Sequence, residues 1–292
     1  MPAVLAAAAF WSCGSVLGKS THASGVVLSF WRLWIASLVM LVIVAVTKRW
    51  PSAQDFKRAA VAGVLFGLNI CVFFIALETV TIATALIIAA LAPVVALPVS
   101  VMLFGERLSF VKMFCAAGSV IGVVIAILVA PSSGSDAHNT KIGYLWAVLA
   151  LVFWVGYLLV SKGVRAKVET VRFMFVVSSI GAVTVSLLVI IGSKHLGEIH
   201  GAGWAWVIML AIGPGIAGHG LVAWAQPRVD ASVTTVLIQL EPVGASIAAW
   251  IVLSERVSFA QALAMAGVII ALCVLAYSES RDGGVEIIDA VS

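Results

Sequence analysis

The sequence predicts an all-α polytopic membrane protein of ten transmembrane helices, arranged as two inverted five-helix repeats. Three observations carry that expectation. The first is composition: apolar residues make up 63% of the 292 and charged residues only 10%, with a mean hydropathy of +1.18. Soluble domains are about half apolar and about a quarter charged. A chain of this length cannot hide such an excess in its own interior, so a lipid-facing exterior is the simpler account. The second observation is a series of ten apolar runs, each near the roughly 20 residues that a hydrocarbon core about 30 Å thick requires. The third is that the second half of the chain repeats the first.

The runs fall at 3–20, 25–46, 57–78, 81–104, 109–130, 142–162, 169–191, 203–226, 231–253 and 258–277. The first, "MPAVLAAAAFWSCGSVLGKS", has no basic n-region and continues at once into further apolar segments. It therefore reads as a spanning helix, not a cleaved signal peptide. The second carries Arg32 straight after Phe30-Trp31, a charge that either snorkels to the interface or meets a substrate carboxylate. The third holds Asn69 in "LFGLNICVFF", and the fourth contains Pro93 and ends at Glu106-Arg107. Ser109 then suits the N-cap of the fifth. The sixth carries Trp154 and Tyr157, the eighth Pro214 and His219, and the ninth Gln239, Glu241 and Pro242. Ser258 with Gln261 suits a capping box for the tenth. These runs divide the chain into a first repeat (1–130), an inter-repeat loop (131–141), a second, inverted repeat (142–278) and a polar cytoplasmic tail (279–292).

Orientation follows from lysine and arginine near the helix ends. With the N-terminus cytoplasmic, twelve such residues fall on the inner side and four on the outer, with Arg32 inside a span. Both termini are therefore expected in the cytoplasm, and the membrane is expected to be the cell's inner membrane. The formal charge of +4 sits in short loops with no basic helix or patch, so nucleic acid is not an expected partner. The cysteines Cys13, Cys71, Cys115 and Cys273 lie inside apolar runs at spacings that fit neither a metal site nor a disulfide framework, and read as small apolar fillers. There is no Walker loop, no GxGxxG before a soluble helix and no metal-ligand cluster. Neither an enzyme nor a cofactor is expected. Uphill transport would have to use an ion gradient.

The internal repeat is specific. "APVVALPVSVMLFGERLSF" (92–110) aligns without gaps on "EPVGASIAAWIVLSERVSF" (241–259), pairing Pro93 with Pro242 and Glu106-Arg107 with Glu255-Arg256 at a separation of 149. "FWSCGSVLGK" (10–19) matches "FWVGYLLVSK" (153–162) at 143, which pairs Trp11 with Trp154 and Lys19 with Lys162. An odd number of helices per copy inserts the second copy upside down, and inverted repeats are a device of alternating-access transporters. On these residues the chain resembles the EamA-type family of the drug/metabolite transporter superfamily over residues 3 to 278. It is most similar there to the bacterial exporters of aromatic amino acids. The resemblance implies ten helices around a central cavity and export of small metabolites.

Candidate cavity residues follow from depth and chemistry. Glu241 falls near the bilayer midplane, where a carboxylate costs roughly 2.5–3.5 kcal/mol on insertion scales and marks a functional site by default. It would hold a substrate ammonium or a proton, or else be protonated and bonded to a neighbouring helix. Pro242 removes an N–H and is expected to leave the Ile238 carbonyl unpaired. In "GPGIAGHGLVAWAQ" (213–226) the glycines and Pro214 are expected to interrupt the helix beside His219, which could bind a carboxylate or move a proton. Asn69 offers a donor and an acceptor, and Gln239 belongs to a second polar facet of the ninth span. Trp11, Trp154 and Tyr157 lie too deep for an interfacial belt and suit an aromatic pocket. Pro93, Pro214 and Pro242 are the expected helix-breaking or gating positions. The expected function is secondary export of a small molecule, aromatic or bulky amino acids first, with a cationic drug or a sugar derivative as the alternative. Proton antiport and facilitated diffusion both fit, and so does a monomer.

Overall fold

The structure, a computed structural model, describes residues 1–80, 82–106, 109–129, 140–253 and 258–289. Arg107, the 131–139 part of the inter-repeat loop, Glu255-Arg256 and the side chain of Gln261 fall outside the described residues. The helices are α1 (Pro2–Trp11), α2 (Gly14–Lys19), α3 (Gly25–Thr47), α4 (Ala53–Thr79), α5 (Ile82–Ala89), α6 (Ala92–Phe104) and α7 (Phe110–Leu128). The second half supplies α8 (Lys141–Arg165), α9 (Thr170–Ile191), α10 (Gly203–Leu210), α11 (His219–Ala225), α12 (Ala231–Leu237), α13 (Leu240–Leu253) and α14 (Phe259–Asp289). Ala211–Gly218 is π-helical and joins α10 to α11 without a break.

Polar residues at the membrane ends start the long helices, as capping chemistry requires. Ser52 and Asp55 form a reciprocal capping box on α4. Thr140 accepts the Gly143 N–H at the start of α8, and Glu169 accepts those of Val171 and Arg172 on α9. Ser109 accepts the Lys112 N–H at 3.1 Å, as expected of an N-cap. Among the described residues six helical stretches are long and apolar enough to cross a membrane. Pro2–Trp11, Phe110–Ala126 and Ala262–Ser278 are shorter apolar helices. Large apolar side chains such as Met102, Phe110, Phe259 and Ile191 are at least 80% exposed. Lipid solvates such a surface and water does not. The last helix continues past its expected end at 277 to Asp289, with no proline to stop it.

Three of the apolar runs are each built from two helices, and the breaks have local causes. Between α5 and α6, Pro93 has no N–H, and the Val94 N–H turns to Leu91, so the Ala90 carbonyl has no helical donor. The Gln239 side chain, from the corresponding break between α12 and α13, donates Nε2 to that carbonyl at 2.7 Å. Pro93 and Pro242 sit in the first turns of α6 and α13, where a missing N–H is tolerated. The Ile238 carbonyl, expected to be unpaired, accepts the Glu241 N–H at 2.8 Å in a tight turn. The break between α1 and α2 was not expected. There Ser12 turns its hydroxyl back on the Ala8 carbonyl at 2.9 Å, a bond that bends helices. The same hydroxyl reaches the Glu241 carbonyl at 3.2 Å. At Pro214 the expectation fails the other way: the helix widens into a π turn and stays continuous.

Packing interleaves the two halves. α4 lies along both α8 and α9, α3 along α9, and α7 along α14. Gly63 and Gly67, one turn apart on α4, allow the closest of these approaches. A Cβ on Gly67 would stand 2.7 Å from the Gly181 carbonyl oxygen, and one on Gly63 2.6 Å from Ile180. Small residues of this kind let membrane helices bring their backbones together.

An ion cluster closes the lysine- and arginine-rich end. Glu106 accepts from Lys162 Nζ at 2.6 Å, from Ser232 Oγ at 2.6 Å and from the Ala231 N–H at 2.8 Å. Lys112 and Lys162 also pair with Asp230, at 2.7 and 3.5 Å. Lys162 therefore turns inward and ties the end of α6, α8 and the start of α12 together. Burial alone raises the Glu106 pKa, but the Lys162, Ser232 and Ala231 donors outweigh it and hold the carboxyl down at about 2.

Two outcomes follow. A folded pKa below the ordinary 4.5 means that the Glu106 contribution is complete above that value and is lost as pH falls toward about 2. Thermal denaturation of purified protein across this range will show the loss, and Glu106→Gln will flatten that part of the profile. Gly67→Val will destabilise by about 2 kcal/mol or more, because the obstacle is backbone, whereas Gly267→Ala, with nothing within 4 Å of the new methyl, will leave the midpoint within a degree or two of wild type.

Candidate functional site

The three breaks and the π turn converge on one cavity. α1 brings Trp11 to it, α3 Arg32, α4 Asn69, Phe73 and Phe74, α8 Trp154, the π stretch Pro214, α11 His219 and α13 Glu241. It encloses about 790 Å³ of non-protein space including its mouth, within the usual range of small-molecule sites. Both halves of the chain contribute walls.

Two of the wall residues are held from behind by hydrogen bonds. Trp11 donates its indole N–H to the Pro214 carbonyl at 2.9 Å. Its ring lies against Gly218, where any Cβ would be 2.4 Å from Nε1. The π turn and Gly218 together make the place where an indole can reach the backbone. Asn69 spends Nδ2 on the Ala150 carbonyl at 2.9 Å, which fixes its amide on the cavity wall. Ser12 fits over Gly244, where a Cβ would be only 2.1 Å from its hydroxyl, and this brings α1 directly against α13 below Glu241.

His219 stands in an aromatic cage. Its ring centroid is 4.7 Å from that of Phe66, 4.8 Å from Trp11, 5.8 Å from Trp154 and 6.1 Å from Tyr157. It is 4% exposed, and its Nδ1 is buried with no hydrogen-bond partner. Trp11 and Trp154, repeat-related in sequence, meet edge to face at 5.3 Å. Such a cluster offers flat apolar surface and negative ring faces to a ligand.

Arg32 and Glu241 give the cavity its electrostatic character. Arg32 is 5% exposed and packs its guanidinium over the Phe74 ring at 5.5 Å. Its charge and that of Glu241 interact across the cavity, yet no salt bridge joins them among the described residues. Two opposite charges on the wall of one cavity are an arrangement that a ligand of opposite dipole would suit.

Of the residues singled out in the sequence, Glu241, His219, Asn69, Trp11, Trp154 and Pro214 line the cavity. Tyr157 and Gln239 do not. Tyr157 is 1% exposed and packs behind Trp154 and His219 as a second layer. Gln239 faces the other way and braces Ala90. Pro93 and Pro242 shape the helix breaks without lining the space. Arg32, expected either to snorkel or to meet a substrate carboxylate, lies on the cavity wall. Phe73 and Phe74 were not singled out, because phenylalanines in an apolar helix carry no mark of which face is inward.

The family model described as the EamA-like transporter family matches residues 1–128 and 141–277. A solved structure, "Crystal structure of protein", superposes with a TM-score of 0.77 at 23% identity, covering 94% of this chain and 95% of that one. At this identity the likeness shows the fold alone. No curated protein sequence matches the chain.

Trp11→Phe keeps a ring in place but cannot donate, so it leaves the Pro214 carbonyl unpaired at a cost of about 1–3 kcal/mol. Gly218→Ala will cause a similar loss by pushing the indole off that carbonyl. Thermal denaturation of both variants measures the effect, and two unchanged midpoints would show that the indole does not tie α1 to the π turn.

Proposed function

This chain belongs to the EamA-like transporter family, and from that premise we propose that it is a secondary exporter of aromatic or other bulky amino acids in the cell's inner membrane. The single observation behind the substrate class is the pair of opposite charges, Arg32 and Glu241, on the wall of one aromatic cavity. An α-amino acid places its carboxylate at Arg32 and its ammonium at Glu241. Its ring then lies among Trp11, Trp154 and Phe73. A charge-assisted hydrogen bond at each end contributes about 1.5–3 kcal/mol, enough to select a zwitterion over a neutral molecule of similar shape. A purely cationic drug suits Glu241 and the indoles but sets its charge against Arg32. A sugar derivative leaves the rings underused.

In this proposal the chain crosses the membrane ten times, as two inverted repeats of five spans (1–130 and 142–278) with both termini cytoplasmic. The wall residues Asn69, Phe73, Phe74 and Ala147 then lie in the outer half of their spans, while the Glu106–Lys162–Asp230 cluster closes the inner end. That arrangement corresponds to a state open toward the outside. Return to the inward-facing state requires the cluster to separate and the halves to rock against each other. The proline-marked breaks at 90–91 and 238–239 are the places for helix segments to change angle. Glu241 is the group that would exchange a proton if transport is coupled to a pH gradient.

Reconstitution in liposomes tests the proposal. Loaded vesicles will exchange labelled phenylalanine or tryptophan, and Arg32→Gln will lower that rate tenfold or more. The same variant will not slow phenethylamine or tryptamine, which have no carboxylate. Flux measured with and without a pH gradient separates antiport from facilitated diffusion. No flux for any amino acid would end the substrate proposal.

A further inference from the structure

A second groove, sharing no lining residue with the cavity, opens at the lysine- and arginine-rich end, where α3, α8 and α11 finish and α9 begins. It holds about 1620 Å³ of space, counting its open side. Arg49, Arg165, Lys167 and Arg228 line it, against a single carboxylate, Glu169. Glu169 is already occupied by Arg49 at 2.7 Å and by the first N–H groups of α9. Three cations therefore exceed what the protein neutralises there.

The rest of the groove is apolar. Met40 and Ile43 come from α3, Met174 from α9, Ile216 from the π stretch, and Leu221 and Trp224 from α11. Gly220 lies among them, and a Cβ there would meet nothing within 4 Å. Trp224 is 49% exposed, with the Arg228 guanidinium 4.7 Å above its ring, an arrangement suited to the headgroup level of a bilayer. Arg165 is 7% exposed. It uses Nε on the Ala223 carbonyl and Nη2 on Thr170, while Nη1 is buried with no hydrogen-bond partner.

A soluble anion would use the cations and leave the apolar wall idle. A zwitterionic lipid would use the wall and gain little from the excess of positive charge. We propose that this groove binds one anionic phospholipid, its phosphate among Arg165, Lys167 and Arg228 and an acyl chain along Met40, Met174, Ile216 and Leu221. Basic pockets between membrane helices on the cytoplasmic side suit such headgroups, at about fivefold in affinity per cation. The π stretch that forms one wall carries Pro214 into the transport cavity from its other side. A bound lipid would therefore support the helix on which the cavity depends.

The test is native mass spectrometry of the purified full-length protein, titrated with phosphatidylglycerol or phosphatidylcholine of matched chains. Phosphatidylglycerol is expected to bind at least fivefold more tightly. Lys167→Ala and Arg228→Ala, both on exposed side chains, are each expected to weaken it about fivefold. Gly220→Leu fills the acyl wall, and it is expected to weaken phosphatidylglycerol while leaving the affinity for glycerol phosphate unchanged. Equal binding of the two lipids, or cation variants that bind phosphatidylglycerol as wild type does, would overturn the proposal. Glycerol phosphate binding as tightly as the lipid, with Gly220→Leu without effect on either, would show a soluble-anion site and overturn it too.

Discussion

A carbonyl oxygen with no N–H to meet it cannot be left in hydrocarbon, because water is not there to replace the missing donor. Much of this structure is organised by that constraint. Around the helix breaks and the π turn, side chains from distant segments supply donors to backbone carbonyls. Gln239 reaches Ala90, Ser12 reaches the Glu241 carbonyl, and Trp11 reaches Pro214. Asn69, Gln226 and Arg165 make further long-range bonds to the Ala150, Leu158 and Ala223 carbonyls, which lie within continuous helices. Each bond joins segments far apart in sequence. Satisfying the irregular backbone and assembling the cavity are therefore one process. The openings in the helices are tolerated only because the other helices are in place.

Charge follows the same logic with a different outcome. Glu106 and Lys162 are surrounded by donors and acceptors, and their role is to fasten helix ends. Arg32 and Glu241 share a cavity, with no salt bridge joining them among the described residues. Composition does not separate these two pairs, since each is a carboxylate and a cation within an apolar chain. What separates them is whether the protein supplies their partners. A buried charge that the protein itself pairs serves the architecture, and one that faces a cavity is the first place to look for a ligand.

The repeat in the sequence is present in the structure as a matched pair of breaks, at 90–91 and at 238–239, and one of them supplies the side chain that completes the other. The match is incomplete elsewhere. The helix pair α1–α2 is broken, whereas its sequence counterpart α8 is continuous. The break comes from Ser12, and the equivalent position in α8 is Val155, which cannot turn back on a carbonyl. Glu241 likewise has Ala92 as its counterpart. The shared prolines shape the helix breaks, while the shared indoles Trp11 and Trp154 and the unshared Glu241 line the cavity.

The sequence by itself determined the apolar character, the helical runs and their order, the charge asymmetry and the repeat, and it marked Glu241, His219, Asn69, Trp11 and Trp154 as unusual within apolar runs. All of these follow from residue type and position along the chain, which hydropathy and spacing report directly. Tertiary structure alone decided which face of each helix is inward. A helix that is apolar all round carries no moment to reveal it, so Phe73 and Phe74 gave no sign of lining the cavity, and Tyr157 none of standing behind it. It also decided that Pro214 widens a helix instead of breaking it, because a π turn needs a partner for the exposed carbonyl, and that partner is an indole 203 residues away in sequence. Gln239 and Arg32 show the same division. Their polarity marked them in the sequence, but only the neighbours brought by folding made one a brace and the other a wall of the site.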